Sequence, residues 1–150
     1  MANPAEHHAE HNRNPGHGDH RLRCLIVTPE KTWLDQQVDS VVLPLFDGEL
    51  GILPGRSPLI GRLGFGELRT KTGESVSRYF VEGGFAQVKN NVVTILTNRA
   101  IPIEQLDVVA AAQELEVAQS AKATTELDNE IKAKNLARVR AKLRVAKHKR

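Results

Sequence analysis

The middle of the chain alternates short apolar runs with turn-forming residues. Apolar runs of four to seven residues occupy positions 22–27, 38–43, 50–53, 75–81, 85–88 and 92–97, and Gly, Pro, Asn or Asp separates them. This spacing predicts a sandwich or barrel of antiparallel strands over residues 21–103. Asn90 and Asn91 stand between two β-rich runs, and Asn tolerates positive φ, so this pair predicts a two-residue hairpin turn.

Residues 104–150 follow a different pattern and contain neither Gly nor Pro. Strong helix formers dominate, which predicts a first helix over 104–120, a break over 122–125 and a second helix over 126–147. Thr125 is the predicted N-cap of the second helix, because acidic residues follow it in the first turn. The sequence therefore predicts an α+β fold, in which an N-terminal antiparallel β-sandwich is followed by a two-helix C-terminal hairpin.

The second predicted helix carries a narrow apolar stripe, formed by Leu127, Ile131, Leu136, Val139, Leu143 and Ala146. The first helix has two thin stripes in which alanine is frequent. Each buried Leu or Ile contributes about 1.5–3 kcal/mol, and only a few are available. We therefore expect the hairpin to dock on the sandwich weakly and reversibly.

The first twenty residues have almost no large apolar side chain and contain five of the six histidines. Such a segment cannot bury enough surface to offset its ordering entropy, so we expect a disordered tail over 1–20. The alternative is a divalent-metal site, because His7 and His11 would share one face of a helix.

Charge is distributed unevenly along the 150 residues, although the net charge is only +3. The last twenty residues carry nine basic and no acidic side chains, which leaves 12 basic against 18 acidic residues before them. A segment this basic favours an acidic partner, such as nucleic acid, anionic lipid or an acidic protein surface. No run approaches the roughly 18 apolar residues of a membrane span, no secretory signal is recognisable, and a single Cys24 fits a reducing compartment.

The motifs of common catalytic sites are missing. No Gly-Lys-Ser/Thr follows the Gly-rich stretch at 48–55, and no GxSxG is present. No histidine occurs between His20 and His148, which removes the usual general base from the middle of the chain. Cys24 is expected to be a small buried apolar residue rather than a nucleophile. Catalysis by this chain alone is therefore not expected.

Four segments together resemble one known family. Residues 48–59, GELGILPGRSPL, resemble the GELGILPGHxPL segment of the epsilon subunits of F-type ATP synthases. The stretches 82–88, 91–96 and 101–107 resemble, in the same order, two strands of that family and the exit into its first C-terminal helix. The resemblance covers about residues 22–150 and excludes the His-rich tail.

This resemblance implies a non-catalytic subunit of the central rotor, with no cofactor of its own. Its sandwich would bind the gamma subunit and the c-ring, and by position Glu49 and Arg56 match the ring-facing region. The complex would hold it peripherally at the cytoplasmic face of a bacterial plasma membrane. The rotor would couple proton flow to ATP synthesis.

In bacterial members the hairpin acts as a switch that restrains ATP hydrolysis when it extends toward the alpha/beta head. The resemblance implies that Arg138, Arg140, Lys142 and Arg144 meet an acidic segment of the beta subunit. Members whose hairpin binds ATP have an arginine three positions after an acidic residue, whereas Ala110 follows Asp107 here. We therefore predict weak or no ATP binding by the isolated subunit.

The alternative interpretation is a nucleic-acid-binding module, in which a β scaffold presents a basic helix. The basic helix is compatible with both the rotor subunit and the nucleic-acid-binding module. The β region distinguishes them, because its few aromatic residues give little surface for base stacking, which disfavours nucleic acid as a partner.

Overall fold

The structure, a computed structural model, describes residues 21–149. Eight strands come first: β1 (Leu22–Val27), β2 (Thr32–Val38), β3 (Ser40–Leu45), β4 (Gly48–Ile52), β5 (Leu59–Thr72), β6 (Ser75–Lys89), β7 (Val92–Leu96) and β8 (Ala100–Pro102). A 3₁₀ turn (Ile103–Gln105) leads to helices α1 (Val108–Ser120) and α2 (Glu126–Lys147). The predicted α+β fold, a sandwich followed by two helices, is confirmed.

The strands form one hydrogen-bonded sheet in the order β2-β1-β7-β6-β5-β3-β4, and β8 pairs with β6. Every pair is antiparallel except β1 with β7, which run parallel. The sheet is therefore mixed at this one pair, which the prediction of antiparallel strands did not include. The pairing is possible because the long chain between these two strands lets β7 return beside β1 in the same direction.

Three strands, β2, β5 and the three-residue β8, were not predicted, and two predicted strands are one. β2 has mainly polar and half-exposed side chains, and β5 combines glycines with outward charged residues, so neither shows an apolar run. The predicted strands 75–81 and 85–88 are joined in β6, because the chain runs on through Gly83 and Gly84 without a turn and keeps its register with β5. Both glycines have positive φ, 72° and 107°, and a Cβ on Gly84 would collide with the carbonyl oxygen of Leu96.

The predicted turn at Asn90 and Asn91 is confirmed. Their φ angles are 52° and 62°, as a two-residue turn with positive φ at both positions requires. The side chain of Asn91 also accepts a hydrogen bond from the backbone N–H of Gly55, at 2.8 Å. The turn therefore fixes the position of the loop that follows β4.

The core of the sandwich is built from inward-facing Val, Ile and Leu of seven strands and Ala100 of β8. The sheet folds back on itself, because β2 and β5 touch without being hydrogen-bonded neighbours. Cys24 is fully buried in this core. The expectation that it behaves as a small apolar residue agrees with this position.

Both helices begin at capping residues. Asp107 caps α1 by accepting from the backbone N–H of Val109 at 2.9 Å, so this helix starts four residues later than predicted. Thr125 caps α2 by accepting from the N–H of Asp128 at 3.0 Å, as predicted. The bounds of α2 match the predicted range.

The hairpin packs on the outer face of β5 and β6 through the second half of α2. A cluster buried there combines strand, linker and helix residues: Phe80, Ile101, Ile103, Leu106, Ala141, Val145 and Ala146. The predicted stripe is wrong in its first half, since Leu127 and Ile131 stay 64% and 59% exposed. The helix is longer than the surface that covers it, so its first two turns lie outside the cluster.

Candidate interaction surfaces

The guanidinium of Arg138 joins three elements of the fold. Its Nη1 donates to Glu82 Oε1 of β6 at 3.0 Å, and its Nη2 donates to Glu114 Oε1 of α1 at 3.4 Å. Asn135, one turn earlier in α2, accepts from the same guanidinium at 2.9 Å and 3.2 Å. Within residues 21–149, the Arg138–Glu82 pair is the one ion pair that joins a strand to a helix.

Lys142 extends this network along α2. It lies four positions after Arg138, hence on the same helix face, and its Nζ donates to Glu114 Oε2 at 3.0 Å. We call Arg138 and Lys142 the cation pair, and Glu82 and Glu114 the carboxylate pair. Two positive and two negative charges thus neutralise each other at the junction of hairpin and sandwich.

The network is partly shielded from water. The exposed fractions are 12% for the Glu82 side chain, 14% for Lys142, 22% for Arg138 and 37% for Glu114. Partial burial acts to raise the pKa of Glu114, but the ammonium of Lys142 and the guanidinium of Arg138 outweigh it and hold the pKa below its ordinary value. The carboxylate is therefore ionised and paired at neutral pH.

The other two predicted basic residues are placed differently. Arg140 and Arg144 are both exposed on α2, and neither takes part in the network around Arg138. Arg144 lines a cleft of about 440 Å³ together with Glu49, Arg69 and His148. The four basic residues that the sequence grouped together thus divide into two that form ion pairs, Arg138 with β6 and α1 and Lys142 with α1, and two that are exposed on α2.

Glu49 and Arg56 do not form one site. Glu49 lies near the start of β4, where its carboxylate accepts from Arg69 at 3.0 Å. Arg56 is exposed in the loop beyond the end of β4, next to Gly55, whose N–H is held by Asn91. The two predicted ring-facing residues are therefore at opposite ends of this strand region.

A larger cleft, of about 790 Å³, separates the first half of α2 from the sandwich. Phe46 and Ile131 are the exposed apolar side chains of its wall. Arg62 stacks on Phe46 with 4.9 Å between its guanidinium carbon and the ring centre. The cleft exists because the exposed start of α2 does not reach the sheet.

An apolar surface lies beside this cleft on the outer face of β5, β6 and β7. Phe85 is the cross-strand partner of both Arg62 and Leu96, and Ile60 is two residues from Arg62 along β5. Ile60, Phe85 and Leu96 are 76%, 58% and 52% exposed. We call these three residues the apolar face, and side chains of this size exposed together mark a protein interface.

Metal-binding clusters and membrane-spanning helices are both missing from the described part of the chain. Residues 21–149 contain no cluster of three His, Cys, Asp or Glu side chains placed to hold a metal ion. No helix among these residues is long and apolar enough to cross a membrane. The predicted disorder of the tail and its alternative metal site at His7 and His11 fall on residues outside those described.

The position that distinguishes ATP-binding hairpins lies at the start of α1. Asp107 uses its carboxylate as the N-cap of α1, and Ala110 is exposed three positions later. A capping carboxylate is already satisfied by the backbone, and alanine provides no donor for a phosphate. Weak or absent ATP binding stays a prediction.

The carboxylate pair was not found by sequence reasoning. Glu82 and Glu114 lie 56 and 24 residues from Arg138, and no local rule pairs residues over such distances. The one sequence signal for this network is the spacing of Arg138 and Lys142. It places two cations on one helix face, which favours an acidic surface opposite them.

Comparisons with known proteins agree with this architecture. Residues 21–103 match the family model described as "ATP synthase, Delta/Epsilon chain, beta-sandwich domain". An ATP synthase epsilon chain of Rhodopirellula baltica is 48% identical over 126 residues, which cover 84% of this chain and 98% of that protein. An ATP synthase epsilon chain of Leptospira borgpetersenii is 41% identical over 96 residues, covering 64% and 76%.

A solved structure shows the same fold. One chain of the Euglena gracilis mitochondrial ATP synthase, described as OSCP/F1/c-ring in rotational state 1, superposes with a TM-score of 0.74. The superposition covers 82% of this chain and 79% of that chain, at 24% identity.

Proposed function

Because the chain belongs to the ATP synthase epsilon chain family, we propose that it is a non-catalytic rotor subunit of a proton-translocating F-type ATP synthase. It would couple rotation of the c-ring to ATP synthesis through the gamma subunit. The observation that carries this proposal is the 48% identity to an ATP synthase epsilon chain over 98% of that protein's length. The family assignment favours this function over the nucleic-acid-binding module.

The sandwich is the part that would bind the rotor. The apolar face, Ile60, Phe85 and Leu96, is the surface we assign to the gamma subunit, because exposed apolar residues on a rigid sheet give a stable protein contact. Glu49 and Arg56 are the candidate contacts to the c-ring. Since Glu49 is paired with Arg69, a contact through Glu49 would have to share or replace that pair.

The hairpin would restrain ATP hydrolysis. When released from the sandwich, it would extend toward the alpha/beta head, where Arg138, Arg140, Lys142 and Arg144 meet an acidic segment of the beta subunit. The docking cluster supports a releasable hairpin, because α2 contributes only two alanines and Val145 to it. Burial of such small side chains stabilises docking much less than it would for Leu or Phe.

The chain would lie at the cytoplasmic face of a bacterial plasma membrane and reach it only through the complex. The proposal is tested by purification of the tagged full chain from its host membranes. We expect the gamma subunit and the c-ring to co-purify, and the triple change of Ile60, Phe85 and Leu96 to Ser to abolish recovery of gamma. Recovery of nucleic acid instead, or of neither subunit, would contradict the proposal.

A further inference from the structure

The cleft between the first half of α2 and the sandwich has the size and the apolar walls of a small-molecule site. Its volume of about 790 Å³ lies within the range of about 300–1,000 Å³ that is usual for ligand pockets. Phe46 of the sandwich and Ile131 of α2 line it and are 70% and 59% exposed. Leu63 and Phe65 add further apolar surface. An apolar molecule in the cleft would remove two large side chains from water.

The lining of this cleft also carries a surplus of positive charge. Arg62 of β5 and Lys134 of α2 both line it, and neither forms an ion pair within residues 21–149. Glu82, the acidic residue among those that line the cleft, is already paired with Arg138. The lining therefore has three cations against one carboxylate, a net charge of +2. A surplus of this sign favours an anion as the ligand.

Arg62 is held in place by an aromatic ring and can still donate hydrogen bonds. Its guanidinium carbon lies 4.9 Å from the ring centre of Phe46, a stacking contact that uses the face of the guanidinium. The N–H groups lie in the plane of the guanidinium, so the stack leaves them available for a carboxylate or phosphate oxygen. A cation and an apolar surface thus stand side by side in one wall of the cleft.

We propose that this cleft binds a single-chain amphiphile with an anionic head, of the chemical class of a fatty-acid carboxylate. The head accepts hydrogen bonds from Arg62 and Lys134, and the apolar chain covers Phe46 and Ile131. A triphosphate carries more negative charge than this lining neutralises, and Ala110 at the start of α1 is not part of the lining. The site does not depend on the proposed rotor function.

An occupant of the cleft contacts two parts of the fold. Because α2 forms one wall and the sandwich the other, the complete site exists only while the hairpin is docked. A ligand that binds the docked form alone stabilises that form by mass action. We therefore expect the amphiphile to slow hydrogen exchange in α2.

The first test measures binding of a fluorescent fatty acid, dansyl-aminoundecanoic acid, to the isolated full chain through the rise of dansyl emission in an apolar site. We expect decanoate, below its micelle-forming concentration, to displace the probe. Decanol has the same chain without the charge and should displace it about tenfold less effectively. ATP should not displace it. Equal displacement by decanol and decanoate, or displacement by ATP, would overturn the proposal.

Variants locate the binding in the cleft. Arg62→Gln/Lys134→Gln should bind the probe about tenfold more weakly. The matched control Lys122→Gln/Arg140→Gln removes two exposed cations outside the cleft and should bind it as the wild type does. Changing the three residues of the apolar face to Ser should also leave the affinity unchanged. Loss of binding in the apolar-face variant, or equal affinity in all variants, would assign the probe to general surface adsorption and overturn the proposal.

The second test measures hydrogen exchange of α2 with and without decanoate. We expect decanoate to slow this exchange several-fold in the wild type and not in Phe46→Ser, although Phe46 lies in the sandwich. The control Val76→Ser changes another exposed apolar residue of the sandwich, outside the cleft, and should keep the effect. If saturating decanoate left the exchange of α2 unchanged in the wild type, the cleft site would fail.

These outcomes are separate from those that test the proposed function. Both experiments use the isolated chain, so they give the same answer whether or not it binds the gamma subunit. Failure of the chain to co-purify with gamma would remove the rotor function and leave the amphiphile site. Failure of decanoate to displace the probe would remove the site and leave the rotor function.

Discussion

The sandwich and the hairpin are held together by different kinds of contact. Fifteen buried residues, including large side chains from seven strands, form the core of the sandwich. The hairpin is held by a cluster of seven, to which α2 contributes two alanines and Val145, and by one strand-to-helix ion pair among the described residues. Separation of α2 from the sheet therefore costs less free energy than opening the core of the sandwich, and it leaves that core intact.

The largest contrast is expected in thiol reactivity. Burial raises the pKa of Cys24 to about 12 from 9.0, so its thiolate fraction at pH 8 falls about a thousandfold. We expect Cys24 to react with a thiol reagent only when the sandwich opens. A cysteine introduced at buried Ala146 of α2, in a Cys24→Ser background, should react much faster, because release of the hairpin is enough to expose it. Equal rates at the two positions would contradict the comparison.

The next effect concerns Gly84, which lies inside β6 with a positive φ. Gly84→Ala would place a methyl group against the carbonyl of Leu96 at a φ of 107°, and we expect it to destabilise the sandwich by about 3 kcal/mol. Denaturant unfolding followed by Trp33 fluorescence measures it. The control Gly51→Ala has open space and no positive φ, so it should change stability by less than about 0.5 kcal/mol.

A matched pair of truncations compares the two regions directly. Val93→Ala in β7 and Val145→Ala in α2 each remove two buried carbons and should each cost about 2 kcal/mol. Hydrogen exchange should rise throughout the sheet for the first variant and only in the helices for the second. If Val145→Ala also raised exchange in β1 and β7, the hairpin and sandwich would be one cooperative unit.

The smallest effect is a pH dependence of the docked hairpin. Glu114, which faces Arg138 and Lys142, has a pKa below its ordinary value of 4.5. Its contribution to the pairing of α1 with α2 is therefore fully present above about pH 4.5 and is lost as the pH falls through the lowered pKa. Amide chemical shifts of α2 should show this step in the wild type and lack it in Glu114→Gln. A step of the same size in Glu114→Gln would assign the acid sensitivity to another group.

The elements that the sequence predicts well are those with local signals. The cap at Thr125, the run of helix formers after it and the Asn90–Asn91 turn each depend on neighbouring residues, and all three are present in the structure. Strands β2 and β5 were missed because their outward positions carry polar residues and glycines that hide the inward ones.

The candidate sites were harder to predict because they depend on contacts between distant parts of the chain. Charge alone predicts a basic face on α2. It does not predict which of its basic residues form ion pairs within the chain and which are exposed. Arg138 meets Glu82 because α2 packs against β6, 56 residues away in the sequence, and no periodicity in the sequence records that approach.

Whether the hairpin restrains hydrolysis is tested most directly by comparing ATP hydrolysis in two purified complexes. One contains the full chain, and the other contains a chain that ends at Thr124, before α2. We predict that the shortened chain still assembles through its sandwich and that its complex hydrolyses ATP several-fold faster at equal amounts of catalytic subunit. An intact complex with the shortened chain and an unchanged hydrolysis rate would contradict the account of a fixed sandwich and a releasable brake.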